Sequence, residues 1–241
     1  MSNEIVLIAF YFSILLYSII LHEVSHGFVA LWLGDLTAKY EGRLSLNPIS
    51  HIDPVGSILI PLLLIPTGFA FGYAKPVPYN PYNLRDQKWG PLMVALAGPF
   101  SNFLIAGVAA VMAAVLPLSS IAKIDILNRF SIVIRGGDGF FERFGFLADA
   151  MAGSLPGITF GLLLFVIFWN IVLGCFNLLP FPPLDGSRLL FTLFPIKEKT
   201  QFFFQQYGFF FLILLLIFPP TSHLISMIIG FFLNLFLGFT H

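Results

Sequence analysis

The stretch YFSILLYSIILHEVSHGFVALWLG, Tyr11 to Gly34, decides how this chain must be read. A membrane crossing needs roughly 20 apolar residues to span a ~30 Å hydrocarbon core, and this stretch has that length and character. Its middle nevertheless holds His22, Glu23 and His26. Ionisable groups inside a membrane helix are costly, by about 2.5–3.5 kcal/mol for a charged side chain on insertion scales, and they mark functional sites by default. On a helix, positions i and i+4 share a face, so His22 and His26 aim two imidazoles at one point. Glu23 lies about 100° further round the helix.

The rest of the chain agrees with a membrane setting. Its 241 residues are 58% hydrophobic and only 10% charged, with a mean hydropathy of +0.92. An ordinary soluble domain is about one quarter charged. The formal net charge is zero, so no basic footprint points to nucleic acid. The single cysteine, Cys175, cannot form an internal disulfide and says nothing about compartment. The start, MSNEIVLIAF, lacks a basic leader region and a small-residue cleavage site, so the first apolar segment is expected to stay.

Gaps between charges define the spans. Glu23 is the one Asp, Glu, Lys or Arg between Ile5 and Leu33. Pro54 to Ala74 is free of these charges but interrupted by Pro61 and Pro66, which suits a re-entrant element. Trp89 to Ala122 and Ala150 to Leu184 are long uncharged stretches. Thr200 to His241 is uncharged too, and Pro219-Pro220 divides it into a helical hairpin. Between the spans, Asp35 to Asp53 contains TAKYEGRLSLNP, whose partial alternation predicts a short strand or hairpin. Lys75 to Lys88 contains three closely spaced prolines that favour extended backbone. Lys123 to Asp149 is mixed, with a GGDG turn at Gly136 to Gly139. The expected fold is all-α and polytopic: about five to six transmembrane helices, a re-entrant segment and a small membrane-associated β element. A core over residues 1–200 and a C-terminal hairpin over 201–241 divide the chain.

The spacing of HEVSH is that of a zinc site, in which two imidazoles bind the metal and the glutamate acts as general base. Zinc requires a further protein ligand. The best candidate is Asp185 in NLLPFPPLDGSRLL, residues 177–190, although an aspartate there could equally N-cap the helix that follows. Asp35, Glu41 and Asp53 lie in one polar connection, and Asp125, Asp138, Glu142 and Asp149 in another, and these fit less well. Asn102 and Asn177 are candidates for holding substrate or an oxyanion, or for interhelical hydrogen bonding. The Gly98-Pro99 pair reads as a helix start or bend. His51 reads as a surface or structural histidine.

HEVSH within a span, AGPFSN at 97–102 and NLLPFPPLDG at 177–186 resemble the site-2 protease family, peptidase family M50. The three motifs stand in that family's order and cover most of residues 15–195. The chain is similar to the compact prokaryotic branch without PDZ or CBS domains. The resemblance implies an intramembrane zinc metalloprotease with one Zn²⁺ held by His22, His26 and Asp185, and with Glu23 as base. It also associates Asn102 and Asn177 with the active-site region. The implied substrate is a transmembrane segment of another protein, unwound before cleavage. The segments TAKYEGRLSL and AKPVPYNPYN are expected to pair with it by β-addition. A metal transporter or sensor, or a non-catalytic scaffold, is the alternative.

A depth argument orients the chain. His22, His26 and Asp185 can meet if the first helix and the 150–184 helix run the same way and the 89–122 helix runs back. Eight lysines and arginines then fall on the motif side and four on the other, which makes the motif side cytoplasmic in a prokaryotic plasma membrane.

Overall fold

The computed structural model describes residues 3–53, 75–137, 139–194 and 196–240. No strand occurs among them. Among the described residues, five helices are long and apolar enough to cross a membrane: α1 (Asn3–Trp32), α3 (Gly90–Val115), α6 (Leu155–Asn177), α8 (Glu198–Ile217) and α9 (Pro219–Gly238). Shorter helices are α2 (Thr37–Tyr40), α4 (Ser120–Arg135), α5 (Phe140–Met151) and α7 (Gly186–Leu193). The chain is therefore a multi-pass integral membrane protein. With 30 residues, α1 is about 45 Å long, more than the hydrocarbon core requires. The α8–α9 break falls at Phe218, immediately before the Pro219-Pro220 pair.

The hairpin expected over residues 35–53 does not form. The side chain of Asp35 accepts hydrogen bonds from the Thr37 N–H (3.3 Å) and the Thr37 hydroxyl (2.7 Å), which favours the helical turn α2 over a strand. A single 3₁₀ turn follows at Pro48–His51. The re-entrant element expected at 54–74 lies outside the described residues. Residues 75–80 form neither helix nor strand, Asn80 is extended, and a 3₁₀ turn at Pro81–Asn83 succeeds them. The Gly98-Pro99 pair sits well inside α3, so it is not a helix start.

The chain forms two compact units. The first comprises Met1–Ser18, Asn102–Leu173 and His223–His241. Its centre is aromatic: Phe130, Phe144, Phe160 and Phe165 are fully buried, and Phe144 stacks on Phe165 with ring centroids 6.0 Å apart. Lipid tails are as apolar as these side chains, so close packing and buried polar contacts hold such a bundle together. Asn170 on α6 is the polar tie. Its Nδ2 donates to the Ser18 hydroxyl of α1 (2.9 Å), and its Oδ1 accepts from Asn102 Nδ2 of α3 (2.8 Å). Residues 3–10 share a cavity wall with Ile158 and Leu162, Tyr11 meets Phe165, and Ser18 meets Asn170. Within this unit α1 and α6 thus run parallel. The Lys123 ammonium, buried on α4, donates to the carbonyls of Ala113 (3.1 Å) and Ala114 (2.8 Å) at the end of α3 and lies over the Phe160 ring. The second unit comprises Ile19–Ser101 and Gly174–Ser222.

Candidate metal and catalytic centre

The second unit brings together His22, Glu23 and His26 from α1 with Asp185 from the loop between α6 and α7. Neighbouring turns of α1 place His22 Nε2 3.1 Å from His26 Nε2. Asp185 Oδ2 completes a triangle, 3.0 Å from His22 Nε2 and 3.3 Å from His26 Nε2. Both imidazoles are buried. Ligand atoms held tetrahedrally at zinc distances of about 2.0–2.1 Å lie about 3.3–3.4 Å apart, so the triangle has close to the dimensions of three zinc ligands.

The surroundings fit the same ion. His26 Nδ1 lies 2.7 Å from the Val94 carbonyl oxygen, an acceptor that demands N–H at Nδ1. The neutral ring then presents its lone pair at Nε2, toward the triangle, as outer partners of zinc-bound histidines typically arrange. Burial works to raise the Asp185 carboxyl, but its hydrogen-bonding and charge interactions with His22 and His26 together outweigh that and draw it down to about 2. It is ionised at neutral pH, and positive charge, as protons or a metal ion, belongs between it and the imidazoles. The α3 backbone closes in on the Nε2 edge of the rings at Gly98, where a side chain would collide with both histidines. Asp185 precedes α7 but makes no side-chain capping hydrogen bond, so the capping alternative has no support in the geometry.

Glu23 is half-buried, and its carboxylate can reach within 4.8 Å of the imidazole nitrogens. Its Oε2 accepts the Val77 backbone N–H at 3.0 Å. A cavity of about 460 Å³ opens beside these groups, lined by His22, Glu23, His26, Asp185, Asn177, Pro76, Val77 and Tyr79. Ala95 also lines it. Pro99, four residues on, has no N–H, so the Ala95 carbonyl lacks its helical donor. Of the two segments expected to pair with substrate, one contributes Pro76, Val77 and Tyr79 to the cavity wall, whereas TAKY of the other is α2.

The expected site residues do not all share one setting. Asn177 lines the cavity with the triangle. Asn102 belongs to the first unit, where it is fully buried and donates to Asn170. His51 is buried, not superficial, and its Nε2 bonds the Ser45 carbonyl. Val77 and Val94 contribute only backbone atoms, which side-chain motifs do not report. Arg188 and Gln205 also line the cavity. Arg188 could have been suspected from its place three residues after Asp185.

The family described as Peptidase family M50 matches residues 10–216. A Bacillus subtilis (strain 168) protein named "Putative zinc metalloprotease YwhC" is 36% identical over 181 residues, 75% of this chain and 67% of that protein. A Mycolicibacterium smegmatis (strain ATCC 700084 / mc(2)155) protein named "Putative zinc metalloprotease Rip2" is 33% identical over 91 residues, 38% of this chain and 34% of that protein. No solved structure matches.

Proposed function

Because the chain belongs to peptidase family M50, we propose that it is an intramembrane zinc metalloendopeptidase that cleaves peptide bonds in or beside transmembrane segments of other membrane proteins. The observation that carries this reading is the triangle of His22 Nε2, His26 Nε2 and Asp185 Oδ2, 3.0–3.3 Å on each side, on and beside helices apolar enough to cross a bilayer. The three side chains would hold one Zn²⁺. When bound, zinc supplies an acidified water and Lewis-acid polarisation of the scissile carbonyl.

The chain's own groups do the remainder. Glu23 takes the proton of the attacking water and passes it to the leaving amine. Val94 keeps His26 in the tautomer that presents Nε2. Asn177, on the cavity wall, is suited to donate an amide hydrogen to the developing oxyanion. The Ala95 carbonyl is suited to accept an N–H from an unwound substrate. A substrate helix hides its carbonyls in its own hydrogen bonds, so segments carrying Gly, Pro or Asn near the cut are preferred. Residues 75–80, whose prolines favour extended backbone, are suited to lie against such a segment. The excess of lysine and arginine near the motif side supports a cytoplasmic active site in a prokaryotic plasma membrane.

The test is reconstitution of the full chain in lipid with a panel of single-span substrates, with metal analysis of each preparation. Wild type should cleave with zinc bound. Glu23→Gln should lose cleavage and keep zinc, which separates a peptidase from a transporter or sensor. Asp185→Ala that kept both zinc and cleavage would sink the proposed donor set.

A further inference from the structure

Glu23 is not free to choose its orientation, and what holds it can be traced outward. Its Oε2 accepts the Val77 N–H at 3.0 Å. Val77 stands between Pro76 and Pro78, in a stretch whose prolines remove alternate donors and fix φ. That stretch is tied at both ends. At the start, Lys75 N–H donates to the His51 carbonyl at 2.9 Å. Arg43 Nη2 donates to the Lys75 carbonyl at 2.7 Å and, more loosely, to the Pro76 carbonyl at 3.4 Å. At the far end, Asn80 N–H donates to Asp35 Oδ2 at 2.9 Å. Arg43 is only 5% exposed. Burying a guanidinium is costly, and here Nη2 offsets part of that cost by donating to carbonyls one and two residues before Val77, while the buried Nε finds no partner among the described residues.

We propose that the Val77 N–H and the Arg43 guanidinium are positioning groups for Glu23, which deepens the peptidase reading and rests on it. With Oε2 anchored, the carboxylate presents its other oxygen as proton acceptor, and the bond discourages the side chain from swinging onto the metal. Arg43 fixes the donor by fixing the carbonyls that lead into it. Reacting groups tolerate little displacement, since a shift of about 1 Å costs on the order of 100-fold in rate. A loop staple with no catalytic consequence predicts something else: loss of Arg43 would lower the melting temperature and leave turnover per zinc-loaded molecule unchanged.

The experiment compares the reconstituted full-length wild type with Val77→Ala, Val77→Pro, Arg43→Lys, Arg43→Met and Glu23→Gln. It records kcat, KM, zinc content and melting temperature for each. Val77→Ala keeps the N–H and sets the reference rate for loss of the side chain alone. Val77→Pro deletes that one donor as well; relative to Val77→Ala its kcat should fall about 100-fold, with KM and zinc content held. Arg43→Met should lower kcat per zinc-loaded molecule about tenfold. Arg43→Lys should restore part of it, because an ammonium keeps the charge and the donors but carries them on a more flexible stem without the planar guanidinium. An active wild type with Val77→Pro turning over at the Val77→Ala rate would overturn the inference alone, and so would Arg43→Met that lost melting temperature with kcat unchanged. A wild type without zinc-dependent cleavage would overturn the peptidase reading and this inference with it.

Discussion

Gly98 meets His26 with no space for a side chain: a β-carbon at position 98 would lie 2.5 Å from His26 Nε2 and 2.6 Å from His22 Nε2. Real β-carbons do not approach that closely, so one of the partners must yield. The helix backbone of α3 is the less able to move. Gly98→Ala should therefore push the imidazoles off the triangle at an overpacking cost of about 1–3 kcal/mol. Chelator competition should find zinc affinity lowered about 10- to 100-fold. An alanine variant with wild-type affinity would show that the rings can relax without leaving the donor set.

Asp185→Asn keeps the shape of the side chain and removes its charge. Because Asp185 makes no capping hydrogen bond to α7, the helix should persist. Zinc affinity should fall by at least the 10–100-fold typical of losing a mere outer-shell partner. Metal analysis after dialysis, alongside circular dichroism, separates this from misfolding.

Asn170→Leu should destabilise the first unit by about 2 kcal/mol, since it removes the bonds to Ser18 and Asn102 together. A lowered thermal midpoint in detergent would register the loss. An unchanged midpoint would mean that these buried groups find other partners.

Asp35 gives a prediction in pH. Burial disfavours its ionised form, but hydrogen bonds from Thr37, Asn83 and Asn80 together outweigh that and hold its carboxyl below the ordinary value. The unfolded chain therefore takes up the proton first as acid is added. The stability Asp35 confers is complete above about pH 4 and fades as pH falls through the folded-state value. Asp35→Asn should melt earlier than wild type at pH 7, by the equivalent of about 1–3 kcal/mol. The gap between the two should narrow below pH 4. A gap that stayed constant down to pH 2 would assign the stabilisation to shape rather than charge.

Much of this was readable before any coordinates. Gaps between charges delimited α1, α3, α6 and the α8–α9 pair, because a bilayer penalises charge so strongly that hydropathy alone finds the spans. The i, i+4 spacing of His22 and His26 forced their convergence. Asp185 is different: the residues alone leave it between ligand and cap, and the structure adds that its Oδ2 lies 3.0 and 3.3 Å from the two imidazoles and that it makes no capping hydrogen bond. The hairpin expected at 35–53 does not form because the Asp35 side chain supplies a local acceptor to the following turn, which outweighs the partial alternation. The α4–α5 pair lies in a stretch of mixed composition, where buried Lys123, Ile126, Phe130 and Val133 recur at helical intervals. Val77 and Val94 act through backbone atoms, and Gly98 through the absence of a side chain. No residue-type pattern could report those three roles.

Lys123 carries a consequence for how the protein sits in its lipid. An ammonium tied to the last carbonyls of α3 is poorly tolerated in hydrocarbon, so that end of the helix belongs at the headgroup level. The immersion of α3 is fixed there as by a depth gauge. In a thinner or thicker bilayer the helix must answer by tilting or by deforming the surrounding leaflet, because sliding along its own axis would carry the charge into the acyl chains.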